Sequence, residues 1–238
     1  MPDLSNITAL GQYAFYNCKS IDATTITIPT TITTINEAVF YGLWNNKQDQ
    51  TVRTIYVPYT VRNINKNAFR SVGGRTSSYE YDDWDEDGKP SGEDLYVNTY
   101  GPVVIEIGDS TNGSNLYTTS GYYYGLNPGS FNFAKTYKTD CWTMDTSEFD
   151  DEYPTKTANG GQGYIKFYGT SAPTLTASNN SNGPVFEQDS YDLGYTPGGG
   201  DSTYIKRYKP KIYVPSASLS DYQTKFNAYI SKIDLEGF

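Results

Sequence analysis

The chain has 238 residues, 37% of them apolar, and a formal charge of −9. That size suffices for one elongated core, while the acidic balance argues against a nucleic-acid backbone or an anionic membrane surface as partner. Histidine is absent, which removes the commonest general base, the triads that depend on it and histidine-ligated metal sites.

The N-terminal MPDLSNITAL has no basic region leading into an apolar segment, so no signal peptide is read in this chain. No apolar run approaches the ~20 residues of a membrane-spanning helix, so membrane insertion is not expected. The first patterned residues are Leu10, Ala14 and Phe15. They are the tail of a phrase that then appears whole. Ile26 and Ile28 are followed by Pro29, Ile32, Ile35, Val39 and Phe40, and the same order returns as Ile55, Val57, Pro58, Val61, Ile64, Ala68 and Phe69. An apolar pair two residues apart predicts a short strand, and proline ends it because it has no N–H to give to the ladder.

The step is 25 residues from Phe15 to Phe40 and 29 from Phe40 to Phe69, a period characteristic of stacked repeats. One such unit cannot bury its own apolar side, but stacked units bury equivalent residues as columns. Weaker rungs follow. VVIEI at 103–107 alternates like a strand, and Leu126, Ser130 and Phe131 are spaced as Ile64, Ala68 and Phe69 are. YIKF at 164–167 and KIYVP at 211–215 repeat the strand, with Phe186 between them. About five rungs are therefore expected, centred on Ile26, Ile55, Ile105, Ile165 and Ile212.

The surplus residues fall mostly after each Phe, at 70–102, 132–163 and 187–210, so they are expected to leave from one sector as loop insertions. Many of the 24 tyrosines sit in or beside these loops, with serine, glycine and asparagine. That mixture combines rigid contact area with adaptable hydrogen bonding. Tyr79, Tyr81, Trp84, Tyr122, Tyr123 and Tyr124 are the candidate ligand contacts; the alternative is that these rings pack the loops against the core.

Within the first insertion, DWDEDGKPSGED sets Asp83, Asp85 and Asp87 at alternate positions before Gly88, the first half of a calcium loop. The Lys89 carbonyl, the Ser91 hydroxyl and Asp94 complete the candidate Ca2+ ligands. Asp94 stands where glutamate is usual, Pro90 interrupts the pattern and no flanking helix is evident, so a merely hydrated acidic loop is the alternative. No catalytic residue is assigned: the acidic runs read as solvated loops, and GGQG at 160–163 reads as a turn.

Cys18 falls in the repeat and reads as a small core residue. Cys141, about three rungs away at ~4.8 Å per rung, lies beyond bridging distance, so no disulfide is expected. At the C-terminus Leu219, Tyr222, Phe226, Tyr229, Ile230 and Ile233 recur at helical spacing, with Ser218 and Asp221 as an S-x-x-D start, predicting a capping helix over 218–233. The N-terminal end has no comparable lid, so further repeats, a partner or a second copy are expected there, with a homo-oligomer as one outcome.

The stretches ALGQYAFYNCKS, TITIPTTITTINEAVFYG and TIYVPYTVRNINKNAFR resemble the BspA-like leucine-rich repeat family, as do the closing YIKFYGTSAPTL and KIYVPSASLSDYQTKF. The resemblance implies one domain over 1–238, mainly β with short helical turns, wound as a right-handed solenoid. It further implies a non-enzymatic adhesion module of a bacterial surface protein, extracellular or at the cell surface, that binds a protein or glycan ligand. A structural or host-attachment component of a bacteriophage virion is the alternative.

Overall fold

The structure, a computed structural model, describes residues 3–44, 51–70, 72–73, 103–119, 163–176, 185–186, 211–231 and 233–238, and the backbone alone of 75–80, 95–100, 189–192 and 205–208. Six strands form one parallel sheet. In spatial order they are Thr25–Thr27 (β1), Arg53–Val57 (β3), Val103–Ile107 (β7), Tyr164–Phe167 (β9), Lys211–Val214 (β13) and Asp234–Gly237 (β14). Neighbours in space follow one another along the chain, which is how a repeated unit adds to its predecessor.

The pairing register sets Ile26 against Ile55, then Ile105, Ile165, Ile212 and Leu235. The five isoleucines are at most 1% exposed, and burying such a side chain contributes about 1.5–3 kcal/mol. The five expected rungs are thus neighbours in that order. Leu235 adds a sixth strand that the sequence pattern does not predict, because β14 carries a single apolar position among Asp234, Glu236 and Gly237. Those two acids on an edge strand discourage pairing with a foreign chain.

A second parallel sheet runs alongside, made of Thr34–Ile35 (β2), Asn63–Ile64 (β4), Thr118–Thr119 (β8) and Thr174–Leu175 (β10). Between the sheets the chain bends at proline: Ile32 N–H donates to the Pro29 carbonyl at 3.0 Å and Val61 N–H to that of Pro58 at 3.1 Å. Two residues beyond each proline a threonine hydroxyl ties one repeat to the preceding one. Thr31 Oγ1 donates to the Ile7 carbonyl at 2.6 Å, and Thr60 Oγ1 to the Ile32 carbonyl at 2.9 Å.

After the second sheet the chain turns through the phenylalanine. Phe15, Phe40 and Phe69 form a buried column with ring centroids 5.5 and 5.6 Å apart and planes within 8° and 6° of parallel. Two residues before each ring the backbone is left-handed, at Tyr13 (φ 61°), Ala38 (φ 53°) and Asn67 (φ 58°), and Asn17 and Gly42 repeat it two residues after. These alternations make three alternate N–H groups point the same way. Tyr13, Phe15 and Asn17 donate to the carbonyls of Glu37, Val39 and Tyr41, and Ala38, Phe40 and Gly42 to those of Lys66, Ala68 and Arg70. The ladder satisfies the turn's backbone from copy to copy.

Two of the insertions carry paired strands. Arg75–Glu80 (β5) pairs antiparallel with Leu95–Tyr100 (β6), and Asp189–Asp192 (β11) with Ile205–Tyr208 (β12), so 70–102 and 187–210 each carry a hairpin. The 132–162 stretch and Leu126 to Phe131 lie outside the described residues, as does Cys141. Cys18 is a half-buried free thiol against the core.

The continuous helix expected over 218–233 is broken. A 3-10 turn, Ser216–Ser218, leads into a single helix, Leu219–Lys225 (α1), and a second 3-10 turn, Asn227–Tyr229, follows. The S-x-x-D signal does not cap it. Ser218 Oγ donates instead to the Thr170 carbonyl at 2.9 Å, and Asp221 Oδ2 accepts from Ala172 N–H at 2.7 Å. Both side chains are drawn off to anchor the helix on the segment between β9 and β10. Its apolar face meets the core through Tyr222 and Phe226, whose rings lie 5.8 and 6.0 Å from Phe167, with Phe186 5.4 Å from Phe226.

Phe226 is fully buried among these rings, so Phe226→Ala is expected to cost about 3–5 kcal/mol in a chemical-denaturation series. An unaltered midpoint would show that the helix does not close this end of the core.

Candidate binding surfaces

Of the residues expected to contact a ligand, Tyr79 stands on β5, with its backbone paired to Tyr96 of β6. Tyr81, Trp84, Tyr122, Tyr123 and Tyr124 lie outside the described residues, as do Asp83, Asp85, Asp87, Lys89, Ser91 and Asp94. Among the described residues no three acidic or cysteine side chains gather as a metal site, and no helix is long and apolar enough to cross a membrane. A cleft of about 480 Å³ lies between residues 3–5 and β1, lined chiefly by Asp3, Leu4, Thr25, Thr27 and Thr30.

The described surface richest in recognition chemistry is the outer face of the six-stranded sheet. A strand sends alternate side chains to opposite faces, so the residues between the buried isoleucines and valines all emerge on one side. Register aligns them as a row across six strands: Thr27, Tyr56, Glu106, Lys166, Tyr213 and Glu236. Tyr56 is 42% exposed and Phe238, just beyond β14, is 48% exposed.

These groups are held by one another. The two Glu106 carboxylate oxygens accept one tyrosine hydroxyl each, from Tyr164 at 3.3 Å and from Tyr168 at 2.9 Å. Lys166 Nζ lies 3.8 Å from the Phe238 ring centroid and 4.7 Å from that of Tyr168, within cation–π range. Lys211 pairs with Glu236 at 3.0 Å and lies 5.3 Å from the Tyr213 ring. Tyr213 meets Tyr164 edge to face at 5.2 Å, as Phe238 meets Tyr168 at 5.5 Å. The result is a set of aromatic and charged groups already ordered before any ligand arrives, which lowers the entropy lost on binding.

Burial first, then the Glu106 charge and its hydrogen bond, push the Tyr164 phenol up to about 12. Tyr168 is raised as well, by burial foremost and then by its bond to Glu106. Lys211 is raised chiefly by its bond to Glu236. This face escapes a reading that looks for loops. The signal was nevertheless present, in the middle letters of IYV, IEI, IKF and IYV at Tyr56, Glu106, Lys166 and Tyr213.

Residues 3–78 match the model of the BspA type leucine rich repeat region, in 6 copies. No curated protein and no solved structure matches the chain significantly. The matched segment holds β1 to β4, and the column begun by Ile26 and Ile55 runs on past it through Ile105, Ile165, Ile212 and Leu235.

The raised tyrosines give a pH signature. Their neutral form is favoured by folding, so the stability they contribute is fully present below the ordinary phenol value near 10 and is lost as pH rises toward 12 for Tyr164. Glu106→Gln removes the charge but not the burial, so both phenols should ionise at lower pH while staying above the free value. Ring-carbon NMR in an alkaline titration reads this directly; two phenols ionising like free tyrosine in the parent would refute the contact.

Proposed function

Since residues 3–78 are a BspA type leucine-rich repeat region, we propose that the chain is a non-enzymatic binding module of a bacterial surface protein, engaged in adhesion. In this reading the two parallel sheets are sides of one right-handed solenoid domain, and the repeats act as a rigid rack. The ligand is a protein or glycan on a host or neighbouring cell. It is met by the outer face of the six-stranded sheet, flanked by the tyrosine-rich insertions.

The observation that carries this reading is the cross-strand row from Tyr56 to Glu236. A sheet surface with no partner needs only solvated polar groups there. This one carries Tyr56, Tyr164 and Tyr213 beside charges fixed in place, and aromatic side chains with a polar handle suit both protein and sugar surfaces. BspA-type repeats generally serve as interaction modules, which supports the same reading.

The test is binding of the purified chain to glycan and extracellular-protein arrays and to whole cells. Tyr56→Ala and Tyr213→Ala are expected to weaken capture about tenfold each, as central aromatic contacts do, with unchanged melting. Serine replacements at Tyr79, Tyr81, Trp84 and Tyr122 to Tyr124 measure the share of the insertions. If both sets leave capture intact, neither surface is the contact.

Calcium at the acidic stretch belongs to the same proposal, with Asp83, Asp85 and Asp87 as first ligands and the Lys89 carbonyl, Ser91 and Asp94 completing the set. Its support is the D-x-D-x-D-G spacing alone. Calorimetric titration with calcium should give binding heat that Asp85→Asn abolishes; no heat and no melting shift at millimolar calcium would end it.

A further inference from the structure

The six strands of the larger sheet send five charged side chains to its outer face: Glu106, Lys166, Lys211, Asp234 and Glu236. All but Asp234 are engaged within the chain. Each Glu106 oxygen accepts a phenol hydroxyl, from Tyr164 or from Tyr168. Lys166 stands opposite Glu106 in the register, yet its ammonium lies over the rings of Tyr168 and Phe238. Lys211 pairs with Glu236 at 3.0 Å.

This arrangement disfavours a charged ligand of either sign. An anion would have to draw Lys166 off two rings or Lys211 off its carboxylate, past Asp234 and Glu236, on a chain whose formal charge is −9. A cation attracted by Glu106 would have to compete with two phenol hydroxyls for its oxygens and would sit beside Lys166.

Next to this compensated patch stands an unoccupied ring. Tyr56 is the cross-strand neighbour of Glu106 on the side away from Lys166, and it is 42% exposed. Its side chain has no stacking or hydrogen-bond partner among the described residues. The groups flanking it toward β1 are the uncharged Thr27 and Thr54. From Tyr56 the row runs through Glu106 and Lys166 to Tyr213, three strand steps or ~14 Å at ~4.8 Å each.

The order of that row separates the two ligand classes. Lys and Glu are depleted in the cores of protein interfaces, and here they occupy the middle of the row. Sugar hydroxyls both donate and accept, which suits phenol hydroxyls and a carboxylate that keep unused lone pairs. The C–H face of a sugar ring can lie on an exposed aromatic ring such as Tyr56. Taking this face as the contact surface proposed above, we infer that its ligand is an uncharged glycan, laid along the row with one sugar ring on Tyr56 and its hydroxyls toward Glu106, Tyr164 and Tyr168. Binding then comes from stacking and hydrogen bonds between neutral groups, and salt has little to screen.

The test is a set of binding isotherms of the full chain on surfaces coated with galactomannan, xyloglucan or a soluble β-glucan, with polygalacturonate and heparin as charged counterparts. At least one neutral polymer should bind, with an apparent Kd that moves less than about twofold when NaCl is raised to about 0.5 M. Tyr56→Ala should weaken that binding about tenfold with unchanged melting, while Tyr56→Phe, which keeps the ring, should retain most of it. Tyr117→Ala, at a remote ring that is 71% exposed, should leave it unaltered. Binding confined to the charged polymers, binding to a neutral polymer that salt removes, or no binding to any neutral polymer would overturn the inference. If Tyr56→Ala and Tyr213→Ala abolish capture of an arrayed protein while no neutral polymer binds, the face stands and the ligand class is wrong. If a neutral polymer binds the parent and both variants equally, the face itself is wrong and the inference falls with it.

Discussion

The structure rests on the register of a parallel sheet. Ile26, Ile55, Ile105, Ile165, Ile212 and Leu235 are consecutive partners, and a slip of one residue anywhere would turn a buried column outward. A strand as short as Thr25–Thr27 has no stability of its own. It is held because its neighbour covers its apolar side chain and completes its backbone bonds together, so burial and hydrogen bonding fail or succeed as one event.

The same logic governs the turns, where the chain adopts alternating left-handed positions that let neighbouring copies pair their backbones. At Tyr13, Ala38 and Asn67 that conformation costs roughly 1–2 kcal/mol per residue in an isolated chain. It is offset because each turn gains three backbone bonds to its neighbour and stacks a phenylalanine on the previous ring. At Gly42 the backbone is left-handed (φ 67°) and an added Cβ would meet the Asn17 side-chain oxygen, so a side chain there strains the turn and requires Asn17 to move.

Register also makes the outer face. Residues far apart in the chain, Tyr56 and Glu236 among them, become members of one row because the buried column behind them is aligned. Glu106 can accept from both Tyr164 and Tyr168 only because β7 and β9 are neighbours. A recognition surface built on paired strands is held more firmly than one on loops, and the insertions add reach around it.

The period-two apolar pairs, the prolines behind them and the phenylalanines were legible in the residues, because each is a local consequence of pleat, missing N–H or ring size. They sufficed to name the five isoleucines that become neighbours. Several features were decided only by tertiary structure. The two-residue strands of the second sheet carry too little pattern to stand out. Leu235 joins as a sixth rung through pairing alone, and Ser218 and Asp221 abandon the expected cap for partners about fifty residues away. The row across the outer face depends likewise on which copy lies beside which. Local chemistry sets which way a side chain or carbonyl points; what it meets there depends on register, which no single stretch of sequence contains.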